Sequence, residues 1–141
     1  MIGASVSAGF GSLRDVAAVL DGAVRGPHEV GDWANVALYR DPFGGGARQV
    51  EAALEFRPTV VFAIDFLFWY AYGSGWTAQE RGENVERGLR ALERFGVPVL
   101  VGDVPYMSGA AEWMLAPDQI PPPDVLADLN ERIRRWAAKR P

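Results

Sequence analysis

Residues that could do chemistry gather at four places, each just after a short apolar run. In open α/β sheets the working residues lie beyond the carboxyl ends of the strands, where loops converge. That rule selects the segments Gly3 to Gly11, Pro42 to Gly46, Asp65 to Gly75 and Asp103 to Gly109. Ser5, Asp65 and Asp103 are the candidates among the hydroxyl and carboxylate groups that these segments offer. Such groups can serve as a nucleophile, a proton carrier or a ligand.

The residue types also exclude several chemistries. The chain has no cysteine, which removes disulfides, thiolate zinc sites and cysteine nucleophiles. His28 is the only histidine and lies between a glycine-proline pair and a glutamate, where we expect an exposed turn. Because one histidine and scattered carboxylates give no metal-ligand spacing, we predict no metal and no cofactor. A magnesium ion between Asp65 and Asp103 stays open as an alternative.

The composition bounds the class of protein. With 141 residues, 49% of them hydrophobic, the chain is expected to form a single domain over residues 1–141. A net charge of −4 provides no basic surface for a phosphate backbone, so we predict no nucleic-acid partner. The longest apolar stretch, 59–72, is interrupted by Asp65 and is too short to span a bilayer. No signal peptide is visible, and the compartment, cytoplasmic or secreted, stays undetermined.

Hydrophobic periodicity predicts alternating strands and helices. Helical spacing covers 12–24, 47–56, 77–95 and 125–138, and short apolar runs at 36–39, 59–64 and 97–101 indicate buried strands. Buried strands separated by helices favour a parallel sheet covered on both faces. We therefore predict an α/β fold, a three-layer sandwich with a parallel sheet.

The segment Gly3-Ala4-Ser5-Val6-Ser7-Ala8-Gly9 resembles the opening block, GDSxTxG, of the SGNH (GDSL-type) serine hydrolases. Ala4 stands in the place of the aspartate, and Ser7 replaces the threonine with the other hydroxyl residue. The resemblance implies a flavodoxin-like SGNH hydrolase fold and a small-molecule ester substrate. It also implies that Ser5 is the catalytic nucleophile, attacking from a helix N-terminus. The alternative for Ser5 is an N-cap in a glycine-rich turn.

Two further segments resemble later blocks of the family. Gly45-Gly46-Ala47 is similar to the second block, which implies that the Gly46 N–H donates to the oxyanion; an ordinary turn is the alternative. Asp65 occupies the position of the third block's asparagine. Because an ionised carboxylate would repel an oxyanion, Asp65 is expected to act in catalysis only when protonated, or else to orient the serine loop or a substrate hydroxyl. Capping of nearby backbone amides is the alternative. Asp103, in a Gly-x-x-Pro exit from the last strand, is expected to contact substrate.

An aromatic run follows Asp65 directly. Phe66, Phe68 and Trp69 are predicted to form an apolar wall that binds the acyl chain or aromatic group of an ester. Packing in the core is the alternative, and it applies to about half of these rings.

The resemblance fails at both ends of the sequence. The family's Asp-x-x-His block has no counterpart, and only Met1 and Ile2 precede Gly3, where a buried first strand is expected. We therefore predict an ester hydrolase of esterase or lipase type that is impaired because it lacks the catalytic histidine. A non-catalytic binding module for an acyl or sugar ligand is the alternative. The short first strand also predicts a homo-oligomer or strand exchange.

Overall fold

A computed structural model describes residues 1–111 and 113–140. Its helices are α1 (Val16–Ala23), α2 (Pro42–Phe56), α3 (Phe68–Ala71), α4 (Ala78–Leu92) and α5 (Pro123–Ala137). Its strands are β1 (Val61–Ala63) and β2 (Val99–Val101), and 3₁₀ helices cover Val36–Arg40, Ser108–Ala110 and Pro117–Gln119. Within these residues, no helix has the length and apolar character needed to cross a membrane.

The predicted three-layer α/β sandwich is wrong. The chain is 49% helix and 4% strand, and its sheet has only two parallel strands. Val61 lies beside Val99 and Ala63 beside Val101. Helices α2 and α4 pack on each other, and α5 packs on α4. The fold is therefore an α-rich assembly around one short parallel pair.

A buried glutamine explains why the first residues add no further strand. Ile2 donates to the Phe62 carbonyl at 3.0 Å, so the chain start does run beside β1. The next backbone groups, however, bond to the side chain of Gln49 on α2. The Gly3 N–H donates to Gln49 Oε1 at 2.8 Å, and Gln49 Nε2 donates to the Gly3 carbonyl at 2.9 Å. The Gly3 carbonyl also accepts from the Asn35 N–H at 3.1 Å, so it is the Gly3 N–H that Gln49 makes unavailable for a continuous ladder.

Side-chain caps shift two of the predicted elements. The apolar run at 36–39, predicted as a strand, is a 3₁₀ helix because the Asn35 side chain accepts from the Ala37 N–H at 2.8 Å. Asp41 then caps α2 through the Gly44 N–H at 2.8 Å, with Pro42 at the first helical position. The glycines 44–46, predicted as a turn, therefore lie inside α2.

The aromatic run that was predicted as a loop forms the short helix α3 and much of the core. Phe66, Leu67 and Tyr70 are almost fully buried. Gly88 on α4 permits the close approach, because a side chain there would clash with Leu67. Burial of these rings against α4 supplies a large share of the apolar stabilisation around β1.

Arg81 is a buried cation that joins distant loops. It lies on α4 and is 2% exposed. Its guanidinium donates to the carbonyls of Ala71, Gly73, Asp118 and Gln119 and to no carboxylate within the described ranges. Burial lowers the pKa of Arg81. The cation thus ties the exit of α3 to the segment that leads into α5.

Replacing Arg81 with methionine should destabilise the protein by about 3 kcal/mol, because four carbonyls would lose a charged donor in a buried place. Urea unfolding followed by circular dichroism measures the change. Arg90→Met on the same helix is the control, because Arg90 is exposed and its ion pair with Glu86 is long, at 4.0 Å. That substitution should cost less than about 0.5 kcal/mol. Equal effects of the two substitutions would contradict the bracing role.

Candidate functional site

An apolar pocket of about 540 Å³ opens where β1 and β2 end. Its walls come from four parts of the chain: the turn after Gly3, the 3₁₀ helix Val36–Arg40, residues 64–69 and residues 102–115. Gly102 permits the two strand ends to meet, because a side chain there would clash with the Ile64 carbonyl. The volume is within the range of ligand pockets for small molecules.

The carboxylate of Asp65 organises the turn that carries Ser5. One oxygen, Oδ1, accepts from the Ala4 N–H at 2.9 Å and from the Ser7 hydroxyl at 2.5 Å. The other, Oδ2, accepts from the Val6 N–H at 2.8 Å and the Ser7 N–H at 3.3 Å. Such charge-assisted bonds are stronger than neutral ones. Asp65 therefore caps the amides of the serine loop, which is the alternative role predicted for it from the sequence.

The Ser5 turn is compact and close to Asp65. Ala8 donates to the Ala4 carbonyl at 3.0 Å, and Phe10 donates to the Ser5 carbonyl at 2.8 Å. Gly3, at φ 153°, lies so near that a side chain would clash with Asp65 and Ser7. α1 begins only at Val16. The expectation that Ser5 lies at the N-terminus of the first helix is therefore wrong.

Ser5 has unused hydrogen-bonding groups at the pocket wall. Its neighbours Ala4 and Val6 both donate to Asp65, whereas neither the N–H nor the hydroxyl of Ser5 has a partner among residues 1–111 and 113–140. The side chain is half-buried and lines the pocket. A hydroxyl and an N–H on one residue can act on a carbonyl group, one as nucleophile and the other as oxyanion donor.

Gly46 does not stand at the pocket. It is the fifth residue of α2, beyond the first four N–H groups that a helix leaves unpaired. It is buried against the rings of Tyr70 and Phe66, so a side chain there would clash with Tyr70. Its N–H is therefore inside a helix and cannot donate to an oxyanion beside Ser5, contrary to the prediction.

The predicted aromatic wall divides between the core and the pocket. Phe66 is fully buried and packs on Tyr70 with ring centroids 5.4 Å apart, so it cannot touch a ligand. Phe68 and Trp69 are half-buried and line the pocket, with ring centroids 4.9 Å apart in an edge-to-face pair. The buried indole N–H of Trp69 finds no acceptor in the described part of the chain.

Asp103 lines the rim of the pocket and is held by α5. Its carboxylate accepts from Arg134, which neutralises its charge toward a ligand. Asp103 and Asp65 both border the pocket, but each is engaged by other groups. No cluster of three or more histidine, aspartate or glutamate side chains occurs in the residues described.

His28 serves a different part of the molecule. Its two ring nitrogens face the carbonyls of Gly26 and Asp21, at 2.8 Å and 3.1 Å. Because carbonyls only accept, two such neighbours favour the protonated ring, and the bond to Gly26 is the main cause of a raised His28 pKa. His28 lines a second, smaller cavity near Met1 and Trp33, not the pocket at Ser5.

Several pocket residues were not predicted from the sequence. Val6, Phe10, Val36, Tyr39, Ile64 and Met114 line the pocket and are exposed. Phe10 carries a detectable signal, since an aromatic ring between two glycines in a turn has little chance of burial. Tyr39 and Val36 were assigned to a buried strand, and the 3₁₀ helix turns them toward the pocket instead.

The chain matches no protein-family model, no curated protein and no solved structure at a significant level. The geometry of the site is therefore the evidence for its chemistry.

Asp65→Asn should weaken the serine loop by about 2 kcal/mol, because the amide's NH₂ would face N–H donors that now bond to a carboxylate oxygen. Amide hydrogen exchange should show faster exchange at residues 4–7, and urea unfolding should show the lost stability. Asp103→Asn is the matched control on the exposed rim and should cost less than about 1 kcal/mol. Unchanged exchange in Asp65→Asn would contradict the organising role.

Proposed function

We propose that the chain is a serine ester hydrolase in which Ser5 attacks the carbonyl of an ester whose apolar group occupies the pocket. The observation that carries the proposal is the position of Ser5. Its hydroxyl is free of partners in the described residues, in a turn fixed by Asp65, on the wall of an apolar cavity. The resemblance of residues 3–9 to the GDSxTxG block supports the same role.

The oxyanion formed on attack would be held by the N–H of Ser5, which lies between two amides already committed to Asp65. A fixed N–H aimed at the developing charge lowers the barrier without reorganisation. Asp65 bonds to the loop amides on either side of Ser5 and not to the Ser5 hydroxyl in the described residues. Phe68 and Trp69 would contact the apolar part of the ester.

The feature of this site that fits a hydrolase least is the general base that would accept the proton of the Ser5 hydroxyl. No histidine lines the pocket within the described ranges, and His28 donates to carbonyls elsewhere. In triad enzymes, removing the base lowers the rate by orders of magnitude. We therefore propose slow hydrolysis for this chain, with a base supplied by the medium or by another molecule.

A second candidate is a non-catalytic binding module for an acyl ligand. The position of His28, away from Ser5, favours it. In that case the pocket would hold an apolar ligand through its walls, and the Ser5 hydroxyl would only donate a hydrogen bond. The two candidates differ in whether Ser5 forms a covalent bond.

A fluorophosphonate probe with an alkyl chain should label Ser5, since the apolar chain fits the pocket and the phosphorus meets the hydroxyl. Intact-protein mass spectrometry should show one adduct that is lost in Ser5→Ala. Ser12→Ala, an exposed serine in the same segment, should label like the parent. Labelling that persists in Ser5→Ala would contradict the proposal, and no labelling at all would favour the binding module.

Imidazole in the buffer should accelerate hydrolysis of p-nitrophenyl butyrate by the parent chain. General bases contribute roughly 10²–10⁴-fold, and a diffusing base recovers part of that, so we expect at least about tenfold over Ser5→Ala at the same imidazole concentration. The Ser5→Ala protein controls for catalysis by imidazole alone. Equal rates for both proteins would count against a nucleophilic Ser5.

A further inference from the structure

The mouth of the pocket carries an unusual amount of exposed apolar surface. Six of its lining residues are between 39% and 64% exposed: Val6, Phe10, Val36, Tyr39, Ile64 and Met114. We call this set the apolar rim. Trp113, directly before Met114, is 84% exposed. Contiguous apolar patches of this kind mark interaction sites on proteins.

We propose that the apolar rim docks on the surface of a zwitterionic phospholipid bilayer, so that the substrate of Ser5 is a water-insoluble acyl ester drawn from that surface. The substrate class rests on the proposed function; the docking does not. Exposed aromatic and aliphatic side chains partition into the boundary between headgroups and acyl chains. Tyrosine and tryptophan are favoured at that depth.

The charges near the rim favour a zwitterionic lipid. The chain has a net charge of −4, which opposes binding to an anionic membrane. Arg40 donates to the Tyr39 hydroxyl at 3.1 Å and pairs with no carboxylate in the described residues. That guanidinium can meet a headgroup phosphate beside the rim. Asp103 lines the same pocket but does not belong to the apolar rim, and its charge is neutralised by Arg134.

Other occupants fit the rim less well. A soluble ligand would fill the cavity and still leave the rim in water. A second copy of the chain, related by a two-fold axis, would place one open cavity against another and enclose a large void. A lipid surface covers the rim and supplies an acyl chain to the cavity.

Flotation with phosphatidylcholine vesicles tests the proposal. The parent chain and Ser5→Ala should both float with the vesicles, whereas a Phe10→Ser/Met114→Ser double variant should bind at least about tenfold more weakly. The matched control is Leu13→Ser/Val19→Ser, which removes two exposed apolar side chains outside the pocket. It should bind within about twofold of the parent. Circular dichroism verifies that all variants are folded.

Three results would overturn the proposal: no binding of the parent, binding only to phosphatidylglycerol vesicles, or equal losses in both double variants. A concentration-dependent dimer in analytical ultracentrifugation that Phe10→Ser/Met114→Ser abolishes would instead assign the rim to a second copy. Failure of flotation with intact labelling of Ser5 would reject the surface and leave the hydrolase. Flotation without labelling would reject the hydrolase and leave the docking of the apolar rim on the bilayer.

Discussion

The carboxylate of Asp65 accepts four hydrogen bonds from the turn that carries Ser5, and the geometry of the site depends on that interaction. Asp65 leaves the end of β1, so the position of the turn is coupled to the only parallel strand pair in the described structure. Gly3 permits the close approach. All four bonds come from residues that flank Ser5 or lie one residue beyond, namely Ala4, Val6 and Ser7, while the N–H and the hydroxyl of Ser5 have no partner in the described residues.

The same interaction gives the aspartate at position 65 a structural role, since four donors of the serine loop bond to it. A free carboxylate near an oxyanion would oppose catalysis. Here both oxygens accept hydrogen bonds, so the carboxylate stabilises the loop, and Asp65 at the same time lines the pocket. Under the proposed hydrolase function the Ser5 N–H is the oxyanion donor, because Gly46 lies inside α2 and cannot contribute.

Local patterns predicted the helices well and the sheet poorly. Helical periodicity placed α4 and α5 within a few residues, since amphipathic spacing and caps such as the Thr77–Glu80 box act locally. The strands at 59–64 and 97–101 are real but shorter. The strand at 36–39 and the layered sheet failed for non-local reasons. Asn35 favours a 3₁₀ turn, and Gln49, 46 residues from Gly3, accepts the hydrogen bond of the Gly3 N–H.

Within the site, residue type and order predicted that Ser5, Asp65, Phe68, Trp69 and Asp103 border one pocket. They could not predict that Phe66 and Gly46 lie outside the pocket. Both are buried against Tyr70, and that contact depends on how distant parts of the chain pack.

The most direct test of the account is a crystal structure of the chain after reaction with an alkyl fluorophosphonate. The account predicts phosphorus bonded to Ser5 Oγ, the phosphoryl oxygen within hydrogen-bond distance of the Ser5 N–H, and the alkyl chain in the pocket against Phe68 and Trp69. An adduct on another residue, or an alkyl chain lying outside the pocket, would contradict it.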